Sequence, residues 1–225
     1  MRVAILVPTL GRADSLAALL QNLRQTTEFR YRVYFVVDQG DAETRHVLET
    51  MPGFDFTTVL CDGTFPQKTN AGYAASADEE LVAPLADDVV FHDGWLQAAL
   101  PHFEAGWQVV GTYDCSPITE DGGHVTMPVV RRSYIEDPGA SWGETGTVFH
   151  AGLHHNFCDT ELWHLARHRD VAIFEKESVI EHRHPAWHSR PVDDTDRKGN
   201  MRNYDEDQAL FHRRKAEWEG AGVPA

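Results

Sequence analysis

The chain has 225 residues, 42% hydrophobic and 24% charged, which suits one folded domain with a sizeable core and excludes disordered or collagen-like classes. Its formal net charge of −15 disfavours non-specific attraction to nucleic acid or anionic membrane. The N-terminal apolar run Val3 to Val7 is too short for a signal peptide or membrane span. Cys61, Cys115 and Cys158 form neither a disulfide framework nor a CxxC zinc pattern, so a cytoplasmic protein without a membrane anchor is expected.

In chain order, Arg2–Pro8 reads as a buried strand and Thr9–Arg12 as a turn. A helix follows, capped by Asp14 or Ser15, with Leu16, Leu19, Leu20 and Leu23 at helical spacing. Tyr31–Val37 is a second strand, Ala42–Met51 a helix ended by Pro52-Gly53, and Phe56–Leu60 a third strand. A short helix over Gln67–Ala77 leads to a fourth strand, Leu81–Leu85, then a helix over Gly94–Phe103 and a fifth strand, Trp107–Thr112. This alternation predicts an α/β fold with a mostly parallel central sheet flanked by helices, whose ligands sit beyond the carboxyl ends of the strands.

The second half is less regular. Asp114–Gly123 reads as a polar loop, Val125–Arg131 as a strand, and Asp137–Gly146 as a Gly-rich, mobile or ligand-shaped segment. Asp159–His168 is a helix, Val171–Phe174 and Glu177–Glu181 are short strands, and Asp205–Glu217 is a surface helix. The expected organisation is one domain in two halves, 1–112 and 113–188. A polar extension, 189–225, follows.

Asp87-Asp88 directly follows an apolar strand. Two adjacent carboxylates repel, partial burial raises the cost, and a divalent cation would relieve both. Oxygen ligands suit Mg²⁺ or Mn²⁺, and such an ion would also let an acidic protein hold a diphosphate. A solvated turn or helix cap is the plainer alternative. Pro8-Thr9-Leu10-Gly11-Arg12 joins a strand to a helix N-terminus, where free N–H groups attract anions and Arg12 adds a charged contact. It is neither a P-loop nor GxGxxG.

Taken in order, VAILVPTLGR, FVVDQGD, KTNAGYAAS and LADDVVFHDGWL resemble the successive nucleotide-binding segments of family 2 glycosyltransferases, which have the GT-A fold. The resemblance covers residues 2–100 well and loosens toward 185. It implies that Pro8, Thr9 and Arg12 border the nucleotide, that Asp38 accepts from the base, and that Lys68 and Asn70 line the nucleoside and phosphates. Ala86-Asp87-Asp88 stands at the family's Asp-x-Asp motif, with its first Asp replaced. Asp88 then becomes the metal ligand and Asp87 lies near the ribose or donor sugar.

Cys158-Asp159-Thr160-Glu161-Leu162 resembles the family's base-bearing helix start, with Cys in the Glu position. Asp159 is the candidate general base and Glu161 its substitute; an ordinary helix N-cap is the alternative. His182, His184 and His188 follow H-x-H-x3-H spacing, and the family's late metal histidine would be His182 or His184. Trp142 is the tryptophan placed to stack on a sugar, and Tyr113-Asp114 would face the acceptor.

The resemblance implies inverting transfer from a nucleotide-sugar, a UDP-sugar ahead of GDP- or dTDP-sugars. The acceptor would be a saccharide, a small molecule, a protein or a modified nucleic acid. Compact proteins of this look occur in phages, where some glucosylate hydroxymethylpyrimidine bases of DNA; Arg131-Arg132 and Arg213-Arg214-Lys215 leave room for that. The competing readings are a nucleotidyltransferase, whose basic Gly-rich loop is absent here, and a non-catalytic nucleotide-sugar-binding module.

Overall fold

A computed structural model describes residues 1–76, 79–187, 191–193, 197 and 203–222. Among them, eight strands form one sheet in the order β3-β2-β1-β4-β7-β6-β8-β5. The strands are β1 (Val3–Thr9), β2 (Tyr31–Val37), β3 (Phe56–Leu60), β4 (Leu81–Pro84), β5 (Val89–Phe91), β6 (Val109–Tyr113), β7 (Val129–Arg131) and β8 (Ala172–His182). The helices are α1 (Ala13–Thr26), α2 (Ala42–Thr50), α3 (Phe65–Ala75), α4 (Trp95–Glu104), α5 (Arg132–Glu136), α6 (Cys158–His168) and α7 (Tyr204–Ala221).

The unbroken apolar run of β1 is explained by its place. It lies between β2 and β4, parallel to both, with helices over each face. Val3, Ile5 and Val7 face a core shared with Leu16, Leu19, Leu20 and Leu23 of α1. Ala4 and Leu6 face the opposite core, with Tyr73 of α3 and Trp163 of α6. Each fully buried leucine contributes about 1.5–3 kcal/mol. Gly72 lets α3 lie close to the sheet: a Cβ there would come within 2.9 Å of Val36 Cγ2.

Several boundaries differ from expectation. Arg12, not Asp14 or Ser15, is the N-cap of α1, and the Ser15 hydroxyl donates back to the Arg12 carbonyl. α3 begins two residues early because Thr64 and Gln67 form a capping box with Pro66 in the first turn; the expected end, Ala77, is outside the described residues. β5 was not foreseen, since three residues carry no readable period. Only Val129–Arg131 of the expected Val125–Arg131 strand is extended. The two expected strands at 171–181 are one, β8, whose register against β6 shifts between Thr112 and Tyr113.

α7 is not a free surface helix. Asp207, Phe211, Arg214 and Trp218 form a buried stripe at helical spacing, packed around Leu165 of α6. Two of the four are charged, which hides the stripe from a hydrophobic periodicity. Among the described residues no helix is long and apolar enough to cross a membrane.

Candidate active site

The ladder between β1 and β4 runs out at Leu6↔Pro84. Just beyond it a cavity of about 780 Å³ opens, lined by Pro8, Thr9, Arg12, Lys68, Asp87 and Asp88 on the sheet side. Residues 154–160 and Tyr204 close the opposite side, and His182, next to Asp88, lines the cavity with His184 and Trp187. A hollow at the carboxyl ends of parallel strands is where this class of sheet binds ligands.

The acidic pair carries its own counter-charge. Asp87 accepts from Thr9 Oγ1 at 2.8 Å and from Arg12 Nη1 at 2.7 Å, and the same Nη1 reaches Asp88 at 3.0 Å. Arg12 Nε also donates to Asp193 at 2.9 Å. Burial alone would lower the Arg12 pKa, but Asp87, Asp193 and Asp88 more than offset it, so the guanidinium stays charged. Burial pushes the Asp87 carboxyl above the ordinary carboxylate range, with Arg12 and Thr9 working against it and Asp88 with it. The compensation expected from a metal ion alone is therefore partly supplied by Arg12.

The register of β8 places a histidine beside that pair. Val89 of β5 pairs with His182, and the Arg183 N–H donates to the Asp88 carbonyl. His182 Nε2 lies 3.2 Å from Asp88 Oδ1, close to the roughly 3 Å between adjacent corners of an octahedral shell with ~2.1 Å bonds. The His182 Nδ1 is buried without a hydrogen-bond partner among the described residues. No group of three or more protein ligands occurs among those residues. Asp88 and His182 thus offer two ligand atoms whose spacing would suit a divalent cation. The His184 ring sits 5.4 Å from that of His182 and 4.7 Å from Trp187, and its Nδ1 accepts from the Ala186 N–H. His188 is outside the described residues.

Lys68 is 4% exposed and lines the cavity floor. Its Nζ reaches Asp38 at 2.7 Å and the Thr9 carbonyl at 3.3 Å. Asp38, at the end of β2, is thus turned to a lysine and is not part of the cavity lining. Asn70 also lies off the cavity, against expectation. Its amide accepts from the Val148 and Phe149 N–H groups and donates to the Phe149 carbonyl. It holds Phe149, which does line the cavity, so Asn70 acts as a brace.

On the opposite wall Asp159 lines the cavity from the first turn of α6, accepting from the Thr160 N–H at 2.7 Å. It is not the N-cap: that position is Phe157, at φ 64 and without a side-chain cap bond. Glu161 cannot serve as substitute base. It is buried and bound by Arg214 Nε and Nη2, each at 2.7 Å, with Ser141 and the Trp142 N–H as further donors. Trp142 packs with Leu165, Phe211 and Trp218 rather than at the cavity, so the Gly-rich segment is a scaffold piece. Asp114 is buried under Thr119, Ser116 and Thr126, and ties its own loop. His154, His155 and Asn156, which precede the Asp159 helix and carry no role in the sequence reading, line the cavity from a loop with no periodic signal.

A mostly parallel α/β sheet flanked by helices, with a strand-end hollow holding an Arg–Asp–Asp–His constellation, is a fold of the GT-A type. The chain belongs to glycosyl transferase family 2, whose sequence profile matches residues 4–153. No curated protein sequence matches it. Among solved structures it is similar to the mannosyltransferase PcManGT from Pyrobaculum calidifontis in complex with GDP-Man and Mn²⁺ (17% identity, TM-score 0.63, 80% of this chain and 56% of that one). It is similar to S. aureus TarS 1-349 in complex with UDP (14% identity, TM-score 0.61, 80% and 59%). The third is glucosyl-3-phosphoglycerate synthase from Mycobacterium tuberculosis in complex with Mn²⁺, UDP-Glc and phosphoglyceric acid (13% identity, TM-score 0.60, 99% and 80%). The chain spans less than two thirds of the first two, and at these identities the likeness is one of fold.

Proposed function

We propose that this protein is a divalent-cation-assisted glycosyltransferase that moves a sugar from a nucleoside diphosphate sugar to an acceptor hydroxyl with inversion. The observation that carries it is one cavity joining Arg12, Lys68 and the Asp88–His182 pair on one wall to the Asp159 carboxylate on the other. The sheet side would take the nucleotide: Pro8 and Thr9 border the base and ribose, and Arg12 and Lys68 offer positive charge to the diphosphate. Asp87 holds Arg12 in place through a buried bond. Asp88 and His182 would hold Mn²⁺ or Mg²⁺, which when bound neutralises charge on the departing diphosphate. Asp159 would take the acceptor proton as that oxygen attacks the anomeric carbon from the face opposite the leaving group. A UDP-sugar is the favoured donor.

The acceptor is proposed as a saccharide or small molecule bearing a free hydroxyl. A hydroxymethylpyrimidine in DNA is less favoured, because three of the four arginines in the two basic clusters are engaged inside the fold, with Arg213 the exposed one. Arg131 binds the Phe103 and Trp107 carbonyls, Arg132 binds the Ser76 and Glu79 carbonyls, and Arg214 binds Glu161.

The test is release of UDP from UDP-glucose with Mn²⁺, alongside titration calorimetry of UDP with and without Mn²⁺. Asp88→Asn should lower turnover by about 10²–10³-fold and remove the Mn²⁺ dependence of UDP binding. Full turnover by that variant in EDTA refutes the cation reading. Nucleotide binding without turnover, with any acceptor tried, favours the binding-module reading.

A further inference from the structure

The segment 154–157 forms the cavity wall just before Asp159, yet its own sequence offers little to hold it. Phe157 has φ 64, a left-handed conformation that a bulky residue keeps only when its surroundings impose it. Those surroundings come mainly from α7. Asp207, 1% exposed, accepts from three consecutive backbone N–H groups, those of His154 at 2.8 Å, His155 at 3.0 Å and Asn156 at 2.9 Å. The same carboxylate lies 3.1 Å from His154 Nδ1. The Phe157 ring is stacked at 5.3 Å on Phe211, one turn further along α7, and lies 5.2 Å from Tyr204 at the helix start. On the other side the loop is tied to the start of α3, where the Phe65 N–H donates to the His154 carbonyl and the Thr64 hydroxyl to the Leu153 carbonyl.

We propose that Asp207 is a positioning residue for transfer. Its carboxylate gathers the 154–156 amides so that α6 starts with Asp159 facing the donor. The idea rests on the transferase reading above. A carboxylate accepting three N–H bonds is a strong, charge-assisted tie, and burial of Asp207 is outweighed by those bonds, which hold its carboxyl below the ordinary range. Asparagine retains an acceptor oxygen but loses the charge, and alanine loses both. The role therefore grades across Asp, Asn and Ala.

The experiment uses the full chain and the variants Asp207→Asn and Asp207→Ala, each assayed well below its own melting temperature. Three readouts are taken: amide hydrogen exchange of residues 154–156, UDP release from UDP-glucose with Mn²⁺, and calorimetric binding of UDP with Mn²⁺. Asp207→Ala should speed exchange at 154–156 and lower kcat by about 10²-fold, the scale of a misplaced catalytic group, with KM and UDP affinity unchanged. Asp207→Asn should fall between Ala and wild type. Unchanged exchange overturns the proposal. So does faster exchange with wild-type kcat, which leaves Asp207 only a structural tie. A wild type that neither binds nor releases UDP overturns the transferase reading and the catalytic role with it; the silent wild type marks that failure apart from the other two.

Discussion

The two walls of the cavity are built in different ways. Apart from His182 at the end of β8, the donor wall collects residues from the ends of β1, β4 and the first turns of α1 and α3, all between residues 8 and 88. Parallel ladders fix those ends: β1 is paired residue by residue with β2 along its whole length. The acceptor wall has little of that. It is set by side chains bound to backbone or to each other across long sequence separations: Asn70 to Val148 and Phe149, Asp207 to the 154–156 amides, Arg214 to Glu161. A ladder spreads its positional information over many weak bonds, whereas a single buried carboxylate concentrates it. Donor geometry should therefore be robust and acceptor geometry sensitive to single substitutions.

The largest expected effect falls on chemistry at the acceptor wall. Asp159→Asn should cut transfer by about 10²–10⁴-fold, the range for a general base, while UDP affinity measured by calorimetry is kept. If UDP affinity collapses instead, Asp159 belongs to the donor wall and the division fails.

Next comes the ion pair beneath that wall. Arg214→Leu strands the Glu161 carboxylate, which is 2% exposed, and should cost roughly 3–5 kcal/mol in urea unfolding. Replacing both residues with leucine should recover most of that loss, because a buried pair exchanged for apolar packing is often near neutral. Wild-type stability in the single variant means that α7 is not anchored by this pair.

A smaller effect is expected from packing under the donor wall. Gly72→Ala drives a methyl toward Val36 and should cost about 1–3 kcal/mol, partly relieved by Val36→Ala. Because ladders hold the strand ends, UDP affinity in the folded Gly72→Ala protein should change little.

The smallest is a pH effect. Burial raises the Asp114 pKa, but bonds from Thr119, Ser116 and Thr126 outweigh it and hold the carboxyl below its ordinary value. A lowered folded pKa stabilises the protein above the unfolded value near 4, and that contribution is lost as pH falls through the folded value. Asp114→Asn should flatten the decline of stability below about pH 4, read from melting temperatures across that range. An unaltered acid limb means that Asp114 is equally bonded in the unfolded chain.

The α/β order and much of the donor wall were legible in the sequence, although Asp38 and Asn70, read as nucleotide contacts, lie off the cavity lining. Unbroken apolar runs announce strands buried on both faces, and the polar residues following Val7, Val37 and Leu85 must then gather at one edge of a parallel sheet. Local pattern and topology agree there. The remaining contacts depend on how the elements dock. That Arg12 pairs with both Asp87 and Asp88, that His182 rather than His184 meets Asp88, and that Glu161 is spent on Arg214 all depend on residues dozens of positions apart, brought together by strand register and helix docking. The buried face of α7 shows why: a stripe holding an aspartate and an arginine looks solvent-facing in sequence, since its partners lie on other elements and a period of 3.6 carries no record of them.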